Sequence, residues 1–442
     1  MLPAISSLTA ISPTVTVPEL SKDQFVEYRV TVSDGISQAS DSVRIDLRNI
    51  VRTPLFVTPQ LQVAASFTTN VRKLIGDHRF GLAGSANSEI GPLSFVGVKY
   101  SDGEFTANAS PMPEAFTKPV DFKLASQPVG FGAQPHIGIA QEDQNRFRMF
   151  VNTSGDTFES LIDYTLDKPC SVSFGVLANG APHAIFLGQR DKGFSILRLS
   201  SGSGNVGTFA NLYRVDTSGR SFCALLSADT PVDGITFSEF RYLQDLIALD
   251  TDNNMISVFA QSGAAGVDTV QYALKQTTSV QLNATGTLKF VKATEVGGFN
   301  NLRSALAMLF SDGRHDGEHR LVIAGITSTR QLVQETYSWG AGIPVDVMLD
   351  NFDEDYSPEV IVLTSTSPYA VVFESMAANY GGFLPLGGPS FMEIGLGANS
   401  GLPRRLTTLG VPGMYVAFPE KKQVLVFGTP PRPERWGAQL TT

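Results

Sequence analysis

The sequence predicts an all-β protein: a seven-bladed β-propeller preceded by part of an immunoglobulin-like β-sandwich module. Three observations carry this. The chain has 442 residues with only 17% charged residues, 41 Gly and 25 Pro, a composition that suits many short strands joined by turns better than helices. A pattern of apolar strand, polar turn and second apolar strand recurs seven times. From the second copy onward, the copies start 47 to 62 residues apart, the spacing of repeated supersecondary units.

The seven hairpins are "LSFVGVKYSDGEFTANA" from Leu93, "IGIAQEDQNRFRMFV" from Ile137, "AIFLGQRDKGFSILRL" from Ala184, "LIALDTDNNMISVFA" from Leu246, "ALAMLFSDGRHDGEHRLVIAG" from Ala305, "VIVLTSTSPYAVVFES" from Val360 and "YVAFPEKKQVLVFG" from Tyr415. Each is apolar on nearly every residue, which predicts strands covered on both faces. They are read as the second and third strands of four-stranded blades. "PVDGITFSEF", "KFVKATEVGGF", "IPVDVMLDNF" and "RRLTTLGVPG" are read as innermost strands. The last repeat lacks a fourth strand, and residues 55–67, "LFVTPQLQVAASF", are expected to supply it and close the ring, removing an exposed edge. One or two β-sandwiches are the competing architecture. The expected domains are residues 1–50, 55–430 and a tail at 431–442.

Residues 1–50 differ in pattern. "FVEYRVTVSDGISQASDSVRIDLRN" alternates strictly around a Ser-Asp-Gly turn, the mark of a hairpin with one face meant for a core. It resembles the last hairpin of PKD/cadherin-like immunoglobulin-type domains of bacterial surface proteins. A full sandwich needs about 100 residues, so the rest is expected to be missing, cleaved off or supplied by another chain.

The densest chemistry is "NFDEDYSPEVIVL", four carboxylates in nine residues running into a β-branched strand. Asn351, Asp353, Asp355, Ser357 and Glu359 stand at alternate positions, so they point the same way in a tight loop. A hard cation such as calcium takes six to eight oxygens. The spacing resembles the calcium loops of FG-GAP/VCBS-type (integrin-like) propeller repeats, which lie between the first and second strands of a blade. That resemblance implies one structural calcium ion held by these five residues, and an extracellular or cell-surface setting in a bacterium. Tyr356 stands where such loops usually have Gly, and the other six repeats lack the acids. A solvated acidic turn is the alternative.

Other candidates are weaker. His315, Asp316, Glu318 and His319 crowd one hairpin tip, and Asp250, Asp252, Asn253 and Asn254 another. His136 and His183 precede the second strands of two repeats, a place that speaks for a structural role. Glu239, Arg241, Tyr242, Arg404 and Arg405 are the polar groups nearest a central channel, and they form no recognised catalytic set. Cys170 is read as lying just before an innermost strand and Cys223 in an outermost one; if they share a blade they stand roughly 14 Å apart, and they are expected to be free thiols.

The net charge of −9 argues against nucleic acid as a partner, because phosphate binding needs clustered Lys and Arg. No run of 18 apolar residues predicts a membrane-spanning helix, and "MLPAISSLTAISPTVTV" does not read as a signal peptide. The function expected is binding or structural: adhesion, matrix or surface-fibre assembly, with propeller loops recognising a glycan or a protein. Further copies of the chain could be met through the N-terminal strands. No enzymatic activity is expected, and a polysaccharide-acting hydrolase or lyase is the alternative.

Overall fold

The structure is a computed structural model that describes residues 4–5, 15–16, 24–33, 35–47, 60–66, 73–74, 82–85, 91–101, 104–116, 121–125, 136–154, 157–176, 183–200, 208–217, 219–231, 242–262, 271–297, 304–327, 331–350, 359–373, 386, 388–406 and 411–428. Every regular element among these is a β-strand. The chain divides into two compact units, Met1–Leu55 and Phe56–Thr442.

In the first unit Gln24–Ser33 pairs antiparallel with Gln38–Leu47, with Ser33 opposite Gln38 and Val26 opposite Ile45. The turn uses Gly35 at φ 87°, a left-handed conformation that costs glycine nothing. Val30 and Val32 are more than half exposed. The described hairpin therefore carries apolar side chains that its own two strands cannot bury, and such a hairpin is marginal alone.

Among the described residues, the second unit holds seven four-stranded antiparallel sheets. Six are made of four consecutive strands. Sheet 1 spans residues 73–116, sheet 2 121–165, sheet 3 169–216, sheet 4 222–279, sheet 5 289–339 and sheet 6 344–393. Sheet 7 is composite: Ser400–Leu406, Val411–Phe418 and Gln423–Gly428 are completed by Gln60–Ser66, with Ser66 opposite Gln423. The first strands of successive sheets lie side by side from sheet 2 round to sheet 7 and on to sheet 1, and the last strands of sheets 1 and 2 meet. The ring so formed is a β-propeller.

The unbroken apolar runs have a direct cause. Leu246 and Ala248 of the second strand of sheet 4 enter the core shared with sheet 3, beside Phe186 and Phe194. Ile247 and Leu249, one residue out of step, enter the core shared with sheet 5, beside Met308 and Phe310. Successive side chains of a strand face opposite ways, so a sheet packed on both faces needs an apolar residue at every step. Glu359–Thr364 is buried along its whole length for the same reason. Burying each Leu or Ile contributes roughly 1.5–3 kcal/mol.

Particular strand assignments differ from the sequence reading. The hairpin from Leu93 forms the third and fourth strands of its sheet, Gly91–Ser101 and Glu104–Phe116, because the short Lys73–Leu74 and Leu82–Ser85 come first. The first strand of sheet 4 is Phe222–Pro231, so "PVDGITFSEF" shares only Pro231 with it, and residues 232–240 lie outside the described residues. His136 and His183 each open the second strand of their sheet.

Candidate functional site

In an antiparallel four-stranded sheet, the turn between strands two and three lies at the same end as the connection to the next sheet. First strands begin at this end, and four of them begin alike. A bulge displaces one residue in each: Cys170, Cys223, Val291 and Val345. The residue after the bulge is Ser171, Ala224, Lys292 or Asp346, and three of these four reach the start of the next first strand. Ser171 Oγ donates to the Phe222 carbonyl at 3.2 Å. Lys292 Nζ lies 3.0 Å from Asp346 Oδ1. Asp346 Oδ2 accepts from Ser400 Oγ at 2.9 Å and Gly401 N at 3.0 Å.

Asp346 is 4% exposed, and Val347 N also donates to its Oδ1 at 3.0 Å. Both carboxylate oxygens thus carry two partners. A buried charge is tolerated only when paired and hydrogen-bonded in this way. The result ties the innermost strands of sheets 5, 6 and 7 together near the axis. Lys292, less deeply buried, is the cation of the group.

The free-thiol expectation is corrected. Cys170 and Cys223 form a disulfide with Cα atoms 5.0 Å apart. Cys223 stands in the first strand of sheet 4 instead of an outermost strand, so the two are equivalent residues of neighbouring innermost strands. The same seam is unusually tight: a Cβ on Gly188 would stand 1.8 Å from the Phe222 carbonyl oxygen, so only glycine fits there.

A second set of contacts joins the turns of sheets 2, 3 and 4. Arg190 grips Glu142 bidentately, Nε to Oε1 at 2.6 Å and Nη2 to Oε2 at 3.2 Å. Its Nη1 reaches Asp252 Oδ1 at 3.4 Å. Asp252 in turn accepts a hydrogen bond from Ser221 Oγ, which itself accepts from Asp191 N at 3.2 Å. Asp250 is buried and accepts from Ser221 N, Asp252 N and Asn253 Nδ2, so the Asp250–Asn254 tip is a braced turn.

The cluster at residues 311–320 does not converge. His319 is fully buried and stacks on Trp339 with ring centroids 5.4 Å apart. His315 Nδ1 instead faces Thr366 Oγ1 in sheet 6 at 2.9 Å, and Glu318 caps Thr285 and Gly286. Among the described residues no group of three or more His, Cys, Asp or Glu is placed to hold a metal.

Of the expected calcium ligands, Asn351, Asp353, Asp355 and Ser357 lie outside the described residues, as do Glu239 and Arg241. Glu359 opens its strand, is 1% exposed and stands opposite Asp350 in the register. Asp350 and Glu359, which flank the acidic segment in sequence, end the first strand and open the second strand of sheet 6, at the end of that sheet opposite Asp346. Tyr242 opens the second strand of sheet 4, and Arg404 and Arg405 pair with Gly413 and Pro412 in sheet 7. Sequence reasoning missed Lys292, Asp346 and Ser400. Ser171, Lys292 and Asp346 share the place just after the bulge of their first strands, two or three residues in, a place the sequence alone does not mark.

No protein-family model matches this sequence, and no curated protein matches it. Solved structures do resemble it. A Lactobacillus plantarum protein aligns over 85% of this chain and 98% of its own at 9% identity and a TM-score of 0.50. The periplasmic gluconolactonase of Pseudomonas aeruginosa aligns over 84% of this chain and 98% of its own at 14% identity, also with a TM-score of 0.50. At these identities the likeness is one of fold. The expectation of no enzymatic activity is corrected to this extent: the fold is one that an enzyme also has, so the fold gives no ground for excluding catalysis. No helix among the described residues is long and apolar enough to cross a membrane.

Proposed function

We propose that this chain is a seven-bladed β-propeller, the composite sheet counted as the closing blade, that works outside the cytoplasm and recognises a glycan or a protein through its loops. The observation that carries this reading is the Cys170–Cys223 disulfide. Disulfides form and persist in oxidising compartments and are rare in the cytosol. A ring braced between first strands at one end is a rigid frame on which recognition loops can be displayed.

The FG-GAP/VCBS-like character of the loop at 351–359 belongs to the same reading, with one calcium ion held by Asn351, Asp353, Asp355, Ser357 and Glu359. Four carboxylates within residues 351–359 repel one another unless something neutralises them, which is the reason to place a cation there. The N-terminal hairpin, as the end of an immunoglobulin-like module, would meet the rest of such a module or another copy by strand addition or face packing.

A second reading is a hydrolase or lyase acting on a polysaccharide on the same scaffold. The fold shared with a gluconolactonase favours keeping it. One experiment separates the two. The full chain is incubated with immobilised acidic and neutral polysaccharides and with a sugar lactone, and retention and product release are measured together. Saturable retention without new reducing ends or lactone opening supports recognition. Catalytic turnover supports the enzyme reading, and neither result on any sugar directs the search to a protein ligand.

A further inference from the structure

Ser311, His319 and Trp339 form one cross-strand row at the turn end of sheet 5. His319 Nδ1 lies 2.9 Å from Ser311 Oγ, and that oxygen already accepts from Gly313 N at 2.9 Å. His315 repeats the arrangement across the seam to sheet 6. Its Nδ1 lies 2.9 Å from Thr366 Oγ1, which accepts from Ile343 N at 3.0 Å. In both places a backbone N–H donates to a hydroxyl oxygen, and the hydroxyl hydrogen is free to donate to Nδ1. At His319 that relay matches a neutral imidazole, whose Nδ1 accepts. The other nitrogen of His319, Nε2, then donates to the His315 carbonyl at 3.4 Å.

These relays hold one point, Gly342, in the connection to sheet 6. Gly342 N donates to the same His315 carbonyl at 2.7 Å, and Trp339 Nε1 donates to the Gly342 carbonyl at 3.3 Å. Gly342 has φ 95°, and a Cβ there would stand 2.9 Å from Thr364 and Ser367, so the packing is close.

We propose that the His315–His319 turn is a pH-sensitive latch on the seam between sheets 5 and 6. A proton on His319 Nδ1 turns an acceptor into a donor, so the Ser311 hydroxyl must turn its hydrogen away and that hydrogen loses its partner. At His319 the added charge also has no water, because the ring is buried against Trp339. The titratable and charged groups around it are Asp312, Arg314 and His315 in the turn, Arg320 beside it and Lys289 on the first strand opposite Ser311. Asp312 is tied up by Arg314, whose Nε and backbone N both donate to it. Sheet 6 presents Thr364, Thr366, Ser367 and Phe373 at this seam among the described residues, none of them charged.

Burial pushes the His319 imidazole below its ordinary value, with the His315 carbonyl and Asp312 partly opposing. The sign follows. A histidine whose folded value is depressed binds its proton more readily when unfolded. The stability it confers is full above the unfolded value of about 6.5 and is lost as pH falls toward the folded value.

The test uses the full chain with Trp436→Phe, which leaves Trp339 as the one tryptophan. Tryptophan fluorescence and amide exchange, corrected for its intrinsic pH dependence, are followed from about pH 7.5 to about pH 4.5. Imidazolium quenches a stacked indole. The expected result is a fall in fluorescence with a midpoint below about 6.5, together with roughly tenfold faster exchange of the Gly342 amide. His319→Phe keeps the stack and abolishes both responses. If that variant does not fold, Ser311→Ala removes a donor to the neutral ring and moves the midpoint upward. The proposal is overturned by no response in the Trp436→Phe chain, or by responses that neither variant changes.

Discussion

Cys170 and Cys223 occupy the same bulge position in two neighbouring first strands, and the bond between them spans the seam of sheets 3 and 4. In sheets 5 and 6 the equivalent position is held by Val291 and Val345. The fold itself does not require a cross-link there. The disulfide is an addition to a ring that closes without one, which is why it speaks to the environment of the protein as well as to its stability.

That comparison predicts the outcome of removing it. Cys170→Val with Cys223→Val should fold, since valine already fills the same bulge twice. It should lose about 2–4 kcal/mol by release of a 53-residue separation in the unfolded chain. For a unit of this size the midpoint should fall by roughly 2–5 °C in calorimetry. Reductant should lower the wild-type midpoint to that of the variant and leave the variant unmoved.

Asp346 should be far more sensitive than its partner Lys292. Asp346→Asn leaves Lys292 facing a neutral amide and removes an acceptor from Ser400 or Gly401, a loss of about 3–5 kcal/mol of the kind seen when one partner of a buried pair is taken away. Lys292→Met removes a group that is 28% exposed at its side chain and should cost about 1–2 kcal/mol, because Asp346 keeps its backbone and Ser400 donors. Urea unfolding of both single variants and the double variant gives the coupling directly. Equal costs for the two single variants would mean that the hydrogen bonds to Ser400 and Gly401 contribute nothing.

Calcium should raise the unfolding midpoint if the loop at 351–359 binds it. A native-state site stabilises by RT ln(1 + [L]/Kd), about 2.7 kcal/mol at a hundredfold excess over Kd. Asp353→Ala with Asp355→Ala should abolish the shift while leaving the calcium-free midpoint nearly unchanged. The absence of a shift in the wild-type chain would leave the loop as a solvated acidic turn.

Much of the fold was legible because of one physical regularity. Runs such as "LIALD" and "VIVLT" have no polar face, which only a strand covered on both sides permits, and their spacing gave repeated sheets. The strand that completes sheet 7 was also legible, since Gln60–Ser66 was needed to occupy an edge. First strands were harder to place. "FCALLSADTP" and "PVDGITFSEF" are similarly apolar and adjacent, and pattern alone does not say which one pairs with Tyr242–Asp250. Choosing the wrong one put Cys223 in an outer strand and separated it from Cys170. The bulges that align Cys170, Cys223, Val291 and Val345 leave no local composition signal. The axial group of Lys292, Asp346 and Ser400 is assembled from three sheets, so its members are far apart in sequence and join only once the ring is formed.

The measurement that tests the central claim most directly is a peptide map of the protein taken from its own cells, with free thiols alkylated at lysis and no reductant. An extracytoplasmic β-propeller stapled at sheets 3 and 4 predicts one linked pair of peptides carrying Cys170 and Cys223, and no alkylated cysteine. Both cysteines recovered alkylated and unlinked would contradict it, placing the protein in a reducing compartment and removing the observation on which the proposed function rests.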